Sequence, residues 1–285
     1  MVRRKSPLCV NTMSSDLATG SASRAGDTPS LSIDGAIAII ELRRPQQANR
    51  IESVDLEMLG KHLRDLRARA NSVRALILTA SGRTFSSGYD IGSVLATLQA
   101  GAPSGDSPPT NAFAELVDEL EALPQTTVCA MNGGVYGGAT DLALACDFRL
   151  GVHATRLSMP AARLGLHYYP SGLRRYCSRL GLNAAKRLFL LGDEVDATEL
   201  LRIGYLDAIV EADQLLTRAL DIARRAGATA PLASIGMKAA LNAIADGTFD
   251  PKTCARAELA CLLSTDLREG VAAWHERRAP QFAGA

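Results

Sequence analysis

The stretch MNGGVYGGATDLALACD, Met131 to Asp147, decides how this chain is read. It follows the β-leaning run Thr126 to Met131, sets glycine pairs at Gly133-Gly134 and Gly137-Gly138, and then enters the buried-helix pattern Leu142, Ala143, Leu144, Ala145. The order is strand, glycine turn, helix start. The first N–H groups of a helix have no partner inside it, and a glycine lets another molecule approach them with no side chain in the way. A negatively charged oxygen is stabilised at such a place. Asp141 lies three residues after Gly138, about 4.5 Å along the axis and roughly on the same face, so a carboxylate stands beside that oxygen. An aspartate in a first helical turn is also the ordinary partner of a helix dipole, and the stretch alone does not choose between the two.

Working outward, Ser81 to Ile91, SGRTFSSGYDI, is a second glycine-and-serine turn, and it follows the apolar run Val73 to Thr79, which has the length of a strand buried on both faces. Leu31 to Leu42 reads as two short strands around Asp34-Gly35, a hairpin dipeptide. Ser53 to Ala70 is an amphipathic helix with Ser53 as its N-cap, and Phe113 to Leu123 has helical spacing. Two short strands followed by a helix recur around Leu31, Val73 and Val128, which suggests a repeated ββα unit. Phe148 to Gly151 and Arg156 to Pro160 read as further strands, and Leu182 to Leu191, Thr198 to Ile203, Ala212 to Ala226 and Pro231 to Ala245 as helices. Residues 1–28, rich in Ser, Thr, Ala and Arg, read as a flexible tail, and Gly101 to Pro109 as a Gly, Ser and Pro-rich loop close to the site.

Composition excludes several classes of function. With 47% hydrophobic residues, 21% charged residues and a formal charge of +1, the chain of 285 residues is not steered to nucleic acid or to an acidic membrane surface. No apolar run approaches the roughly 20 residues that span a bilayer. The six cysteines form no CxxC pair and mostly lie in apolar stretches, which fits buried thiols in a reducing compartment, here taken as the cytoplasm. The four histidines are too scattered for metal-ligand spacing, so no metal is expected.

Three stretches resemble the crotonase, or enoyl-CoA hydratase/isomerase, family. Met131 to Asp147 is similar to its strand-to-helix signature, in which Gly138 takes the place of the glycine donating one oxyanion N–H. SGRTFSSGYDI looks like the other oxyanion loop, with Tyr89 supplying the second N–H and Asp90 and Ile91 near the adenine end of coenzyme A. The carboxyl-terminal STDLREGVAAWHERRAPQF resembles an acid-glycine helix followed by an aromatic and a base, placing Trp274 and Arg277 on coenzyme A, in the same or a neighbouring subunit. Arg44-Pro45 with Asn49 and the run from Asp196 agree with weaker patterns of the family.

The resemblance implies an α/β fold, a crotonase-like spiral of repeated ββα units with a C-terminal helical trimerisation region. Its parts would be the tail, a spiral core with the acyl-CoA site over residues 29–200, and a helical region over 201–285. The implied activity is that of an acyl-CoA-thioester enzyme of the hydratase/isomerase type, which stabilises a thioester enolate with two backbone N–H groups. Coenzyme A enters as part of the substrate, no tightly bound cofactor is expected, and the assembly would be a homotrimer or a hexamer.

The family's hydratases use two glutamates beside the acyl chain. Here the first position is Asp141 and the second, after Pro160, is Ala161, which carries no proton. Substitutes nearby are Arg163, His167, Tyr168 and Tyr169; Tyr169 matches a position where dienoyl-CoA isomerases of the family carry an aspartate. A neutral tyrosine can donate to an enolate, and His167 offers an imidazole for acid–base work. Packing for the tyrosines and a structural role for the histidine are the competing readings. Arg174 and Arg175 could meet an acidic acyl group or simply pair with neighbours. Other family chemistry, namely hydrolysis, decarboxylation or carbon–carbon cleavage, stays open, as does an acyl-CoA-binding subunit without turnover.

Overall fold

The Asp34-Gly35 turn closes the first hairpin: Gly35 takes a φ of 54°, and the flanking strands β1 (Ser30–Asp34) and β2 (Ile37–Leu42) pair antiparallel. A computed structural model of the chain describes residues 27–92 and 111–285. Residues 1–26 of the expected tail and the loop Gly101 to Pro109 lie outside the described residues, while Thr28, expected in the tail, is buried and its carbonyl accepts from the Arg43 guanidinium. From β2 onward the units follow the expected rhythm. After α1 (Ser53–Ala68) come β3 (Ala75–Ala80), β4 (Thr84–Ser86) and α2 (Ala112–Glu121). The next unit is β5 (Thr126–Met131), β6 (Gly134–Tyr136) and α3 (Gly138–Leu144); the one after it is β7 (Phe148–Val152), β8 (Arg156–Ser158) and α4 (Pro170–Leu180).

The first hairpin lies in one sheet, but from β3 on the two strands of each unit go to different sheets. One sheet has the order β1-β2-β3-β5-β7-β10, parallel from β2 on, with β10 (Ala208–Val210) at its edge; the other has the order β4-β6-β8-β9, ending in the short β9 (Val195–Asp196). The repeat therefore winds as a spiral, and each unit from β3 on adds one strand to each sheet. Strand β3 is buried on both faces, as its unbroken apolar run implies. Leu76 and Leu78 enter the core lined by Leu56, Leu59, Leu63 and Leu66 of α1, while Ala75 and Ile77 face the opposite way. That second face, continued by Val128, Ala130, Leu150 and Val152, is covered by Leu215, Ala219 and Ala223, one stripe of α7 (Leu215–Gly227).

Two local expectations needed revision. Ser53 is the first helical residue of α1 and the cap is Glu52, whose side chain and that of Asp55 bond reciprocally to each other's backbone N–H. Asp55 is drawn into this box because it also pairs with Arg44, Nη1 to Oδ2 at 2.5 Å, in a buried contact. Leu182 to Leu191 is split into α5 (Leu182–Lys186) and one π-helical turn, Arg187–Leu191. Breaking the Arg44–Asp55 pair with Arg44→Ala leaves a buried carboxylate without its counter-charge. The expected cost is about 3–5 kcal/mol, read by urea denaturation.

After α6 (Ala197–Arg202) and α7, the chain ends in α8 (Pro231–Asp246), α9 (Pro251–Leu263) and α10 (Thr265–Glu276). Lys238 of α8 ties this region to the core, its Nζ donating to the Gln125 carbonyl at 2.8 Å and to Asp147 at 2.7 Å. Among the described residues no helix is long and apolar enough to cross a membrane.

Candidate active site

Two turns meet at the start of α3. Gly137 reaches a φ of 53° and a ψ of −131°, a backbone that a residue with a Cβ rarely takes, and its N–H donates to the Ser158 carbonyl at 3.0 Å. The Gly88 turn closes against it. Gly88 has a φ of 95°, and a methyl there would stand 2.5 Å from the Tyr136 carbonyl oxygen and 3.0 Å from Gly138 N. Tyr89 therefore follows directly on a residue packed against the first amide of α3. Neither the Tyr89 N–H nor the Gly138 N–H has a backbone carbonyl partner among the described residues.

The Gly88 turn is fastened from behind. Ser86 Oγ receives the Gly88 N–H and donates to the Asn49 carbonyl, while the Ile51 N–H donates to the Gly88 carbonyl and the Asp90 N–H to that of Ile51. The buried Asn49 side chain donates to the Ser81 and Thr84 carbonyls, both at 2.8 Å, and accepts the Arg44 N–H. Asn49 and Ala48 both sit at a φ of 50°, strained for residues with a Cβ, and these bonds hold them there. The Arg44-Pro45 and Asn49 pattern thus has a local purpose: it braces the turn that presents Tyr89.

Asp141, one turn into α3, is fully buried. Its Oδ2 accepts from the Tyr169 hydroxyl at 2.5 Å and from Arg175 Nη1 at 2.6 Å, while its Oδ1 is buried with no hydrogen-bond partner. Burial pushes the Asp141 carboxyl above its ordinary value, and the charge of Arg175 and the bonds from Tyr169 and Arg175 restrain the rise. Tyr169 is held protonated by burial and by the adjacent Asp141 charge. An aromatic row links the turn to the acid. Tyr89 stacks on Phe113 with centroids 5.4 Å apart, Phe113 meets Tyr169 edge-on, and Tyr169 stacks on Tyr168 at 4.4 Å.

Behind Asp141 lies a cluster that sequence reasoning did not resolve. Arg175 is fully buried, and its Nη2 donates to Asp118 at 2.6 Å and to Glu121 at 3.1 Å. Its Nε lies 3.1 Å from Glu121 Oε1 but out of hydrogen-bond alignment. Glu121 also receives Arg174 at 2.6 Å and Arg179 at 3.1 Å. Burial pushes the Glu121 carboxyl up, and the three arginines overcome that and leave it lowered. Of the two arginines flagged in the sequence, both pair with neighbours. Glu121 carries no sequence signal, since only the packing of α2 on α4 brings it there.

The structure thus brings Tyr89, Gly138, Asp141 and Tyr169 together. His167 is exposed, with Nδ1 2.8 Å from the neighbouring Tyr168 carbonyl, and is not part of the cluster. Ala161 is buried and offers no titratable group. Asp90 stands 3.8 Å from Arg50, and Ile91 is exposed. Trp274 is 81% exposed at the mouth of an apolar groove of about 640 Å³ between α8, α9 and α10, and Arg277 ends α10 in a left-handed turn. No group of three or more potential metal ligands occurs among the described residues.

The buried Asp141 carboxylate thus stands near two amides, those of Tyr89 and Gly138, that have no backbone carbonyl partner among the described residues. The chain belongs to the enoyl-CoA hydratase/isomerase family, whose model matches residues 32–285. It is 28% identical to the 1,2-epoxyphenylacetyl-CoA isomerase of Escherichia coli, over 88% of this chain and 97% of that protein. It is 27% identical to the short-chain-enoyl-CoA hydratase of Clostridium acetobutylicum, over 86% of this chain and 93% of that one. The crystal structure of an enoyl-CoA hydratase from Bacillus anthracis superposes with a TM-score of 0.78 at 26% identity, covering 90% of this chain and all of that one. The ββα spiral is that of the crotonase fold.

Proposed function

We propose that this enzyme binds an acyl-CoA thioester with the carbonyl oxygen between the N–H groups of Tyr89 and Gly138, and that Asp141 exchanges a proton with the acyl chain. The supporting observation is the junction itself: Gly88 packs on Gly138 N, and one buried turn further on Asp141 keeps an unpartnered oxygen. In acyl-transfer sites the loss of one such donor to an oxyanion costs roughly 3–4 kcal/mol, and an enolate oxygen presents the same charge to be held. Tyr169 donates to Asp141 and stays protonated, so it serves as a hydrogen-bond donor rather than a base. Asp90, Ile91, Trp274 and Arg277 are assigned to coenzyme A, the last two in the same subunit or across a subunit boundary.

Ala161 favours chemistry carried by one acid–base group over hydration by a carboxylate pair. The test is turnover of crotonyl-CoA, dienoyl-CoA and β-keto-acyl-CoA substrates. Product from one of them confirms an enzyme of this type and says which reaction it runs. Thioester binding without product from any member would instead support a binding subunit, and no binding would overturn the assignment.

A homotrimer or a dimer of trimers is part of the same reading. Met237, Leu241 and Ile244 of α8 and Leu259, Leu262 and Leu263 of α9 are all more than half exposed, and clustered apolar residues in water are a mark of protein–protein contact. Sedimentation equilibrium is expected to give three or six times the 30.1 kDa chain mass, and Leu241→Asp with Leu263→Asp to lower it. A monomer at micromolar concentration would remove this part of the proposal.

A further inference from the structure

Arg175 is among the largest fully buried side chains of the described residues, and burying a guanidinium is costly unless its partners are close and well placed. Here they come from two helices: Asp141 on α3 and Asp118 and Glu121 on α2. The two donors on Asp141 converge on the same oxygen, Oδ2, which anchors the carboxylate at that atom and leaves Oδ1 without a partner. A carboxylate needed only to neutralise Arg175 would gain from a bidentate pairing with both oxygens, the geometry a guanidinium fork favours. The fork is instead split between Asp141 and the α2 carboxylates.

We infer that Arg175 is a positioning residue for the reaction: it clamps Oδ2 of Asp141, reserves Oδ1 as the atom that exchanges the proton, and is itself held in place by Glu121 and Asp118. The inference rests on the proton-transfer reading of Asp141 given above. In the step it serves, Oδ1 forms an O–H bond as a C–H bond of the acyl chain breaks, and the electron pair moves onto the thioester oxygen; return of the proton reverses the bond changes.

Among the described residues, Arg175 is the one positive group in contact with Asp141. The other groups around it are Tyr169 and Tyr168, which precede α4, Tyr176 of α4, Tyr205, which packs on α3, and the anionic Glu121 of α2. All four tyrosines are held protonated by burial, so none supplies charge in the working range. Burial and Glu121 push the Asp141 carboxyl up, and Arg175 opposes both. A base must be ionised, so activity is lost as the pH falls through its titration; without Arg175 that acid limb moves to higher pH.

The test compares Arg175→Met and Arg175→Lys with wild type by two readouts. The first needs no turnover: the Asp141 carboxyl is followed by carbon-13 NMR in protein made with labelled aspartate, its signal assigned by loss in Asp141→Asn. Arg175→Met is expected to raise the Asp141 midpoint by about one pH unit or more. The second is steady-state kinetics on the substrate found in the panel, where kcat is expected to fall by about 100-fold with KM nearly unchanged, and the acid limb to move with the NMR midpoint. Arg175→Lys keeps the charge but not the fork, and is expected to recover the midpoint while leaving kcat about tenfold low. If Arg175→Met does not fold, Arg175→Lys decides through kcat at constant KM. An unmoved midpoint in Arg175→Met, or wild-type kcat in Arg175→Lys, would overturn the inference. Should wild type turn over nothing in the panel, the proposed function falls, and the NMR midpoint still decides whether Arg175 governs Asp141.

Discussion

Asp141→Asn is expected to lower kcat by about 10²–10⁴-fold while acyl-CoA binding stays within a few-fold of wild type. Asparagine has nearly the shape of aspartate and can still accept from Tyr169 through its amide oxygen, so the contact that orients residue 141 is retained. Arg175 loses one carboxylate but keeps Asp118 and Glu121, which limits the damage to folding. What disappears is the ability to take a proton at Oδ1. Steady-state rates and titration calorimetry with a thioester measure the two effects separately. Turnover that survives in Asp141→Asn would remove Asp141 from the chemistry and send attention to another group near the acyl chain.

The second large effect is expected from Gly88→Ala. The added methyl meets the Tyr136 carbonyl oxygen at 2.5 Å and Gly138 N at 3.0 Å, both backbone atoms, at a φ of 95° that alanine avoids. The turn must move, and the two amides separate. Loss of one oxyanion donor costs about 10²–10³ in kcat, and the strain costs about 1–3 kcal/mol of stability. Gly165→Ala is the control: its φ of 73° imposes similar backbone strain, and nothing lies within 4 Å of the added carbon. That variant is expected to melt earlier yet turn over normally. Equal turnover in Gly88→Ala and wild type would dissolve the case for a paired-amide site.

Much of this arrangement was legible in the chain because it is written locally. The hairpin at Asp34-Gly35, the doubly buried β3 and the two glycine turns each depend on residues a few positions apart, and each is found where the pattern places it. Tyr169 was one of several candidates beside Pro170, and only the fold separates it from the exposed His167 two residues earlier. The clamp on Asp141 was out of reach, since Arg175 meets it across 34 positions and Glu121 across 54. No periodicity records such a meeting. Helix α9 was passed over although Asp250 followed by Pro251 is a start signal, an N-cap carboxylate accepting two N–H groups and a proline where no N–H is needed. Its apolar residues, many of them outward-facing, give no clean stripe to read.

Helix α3 has seven residues, about 10 Å of helix, too little to persist alone in water. Its neighbour α4 grips it at three heights: the Tyr169 hydroxyl at the α4 cap and Arg175 on Asp141, the Tyr176 hydroxyl on Thr140, and Arg179 on the carbonyls of Leu144 and Cys146 at the far end. The shape of the short helix is thus imposed by the longer one. In a saturation mutagenesis of the whole chain, α4 should score like active-site sequence along its inner edge, although most of those side chains never reach a substrate. A tolerance map would therefore draw this enzyme's centre about one helix too wide, and a designer seeking new acyl specificity would do well to leave that second ring untouched.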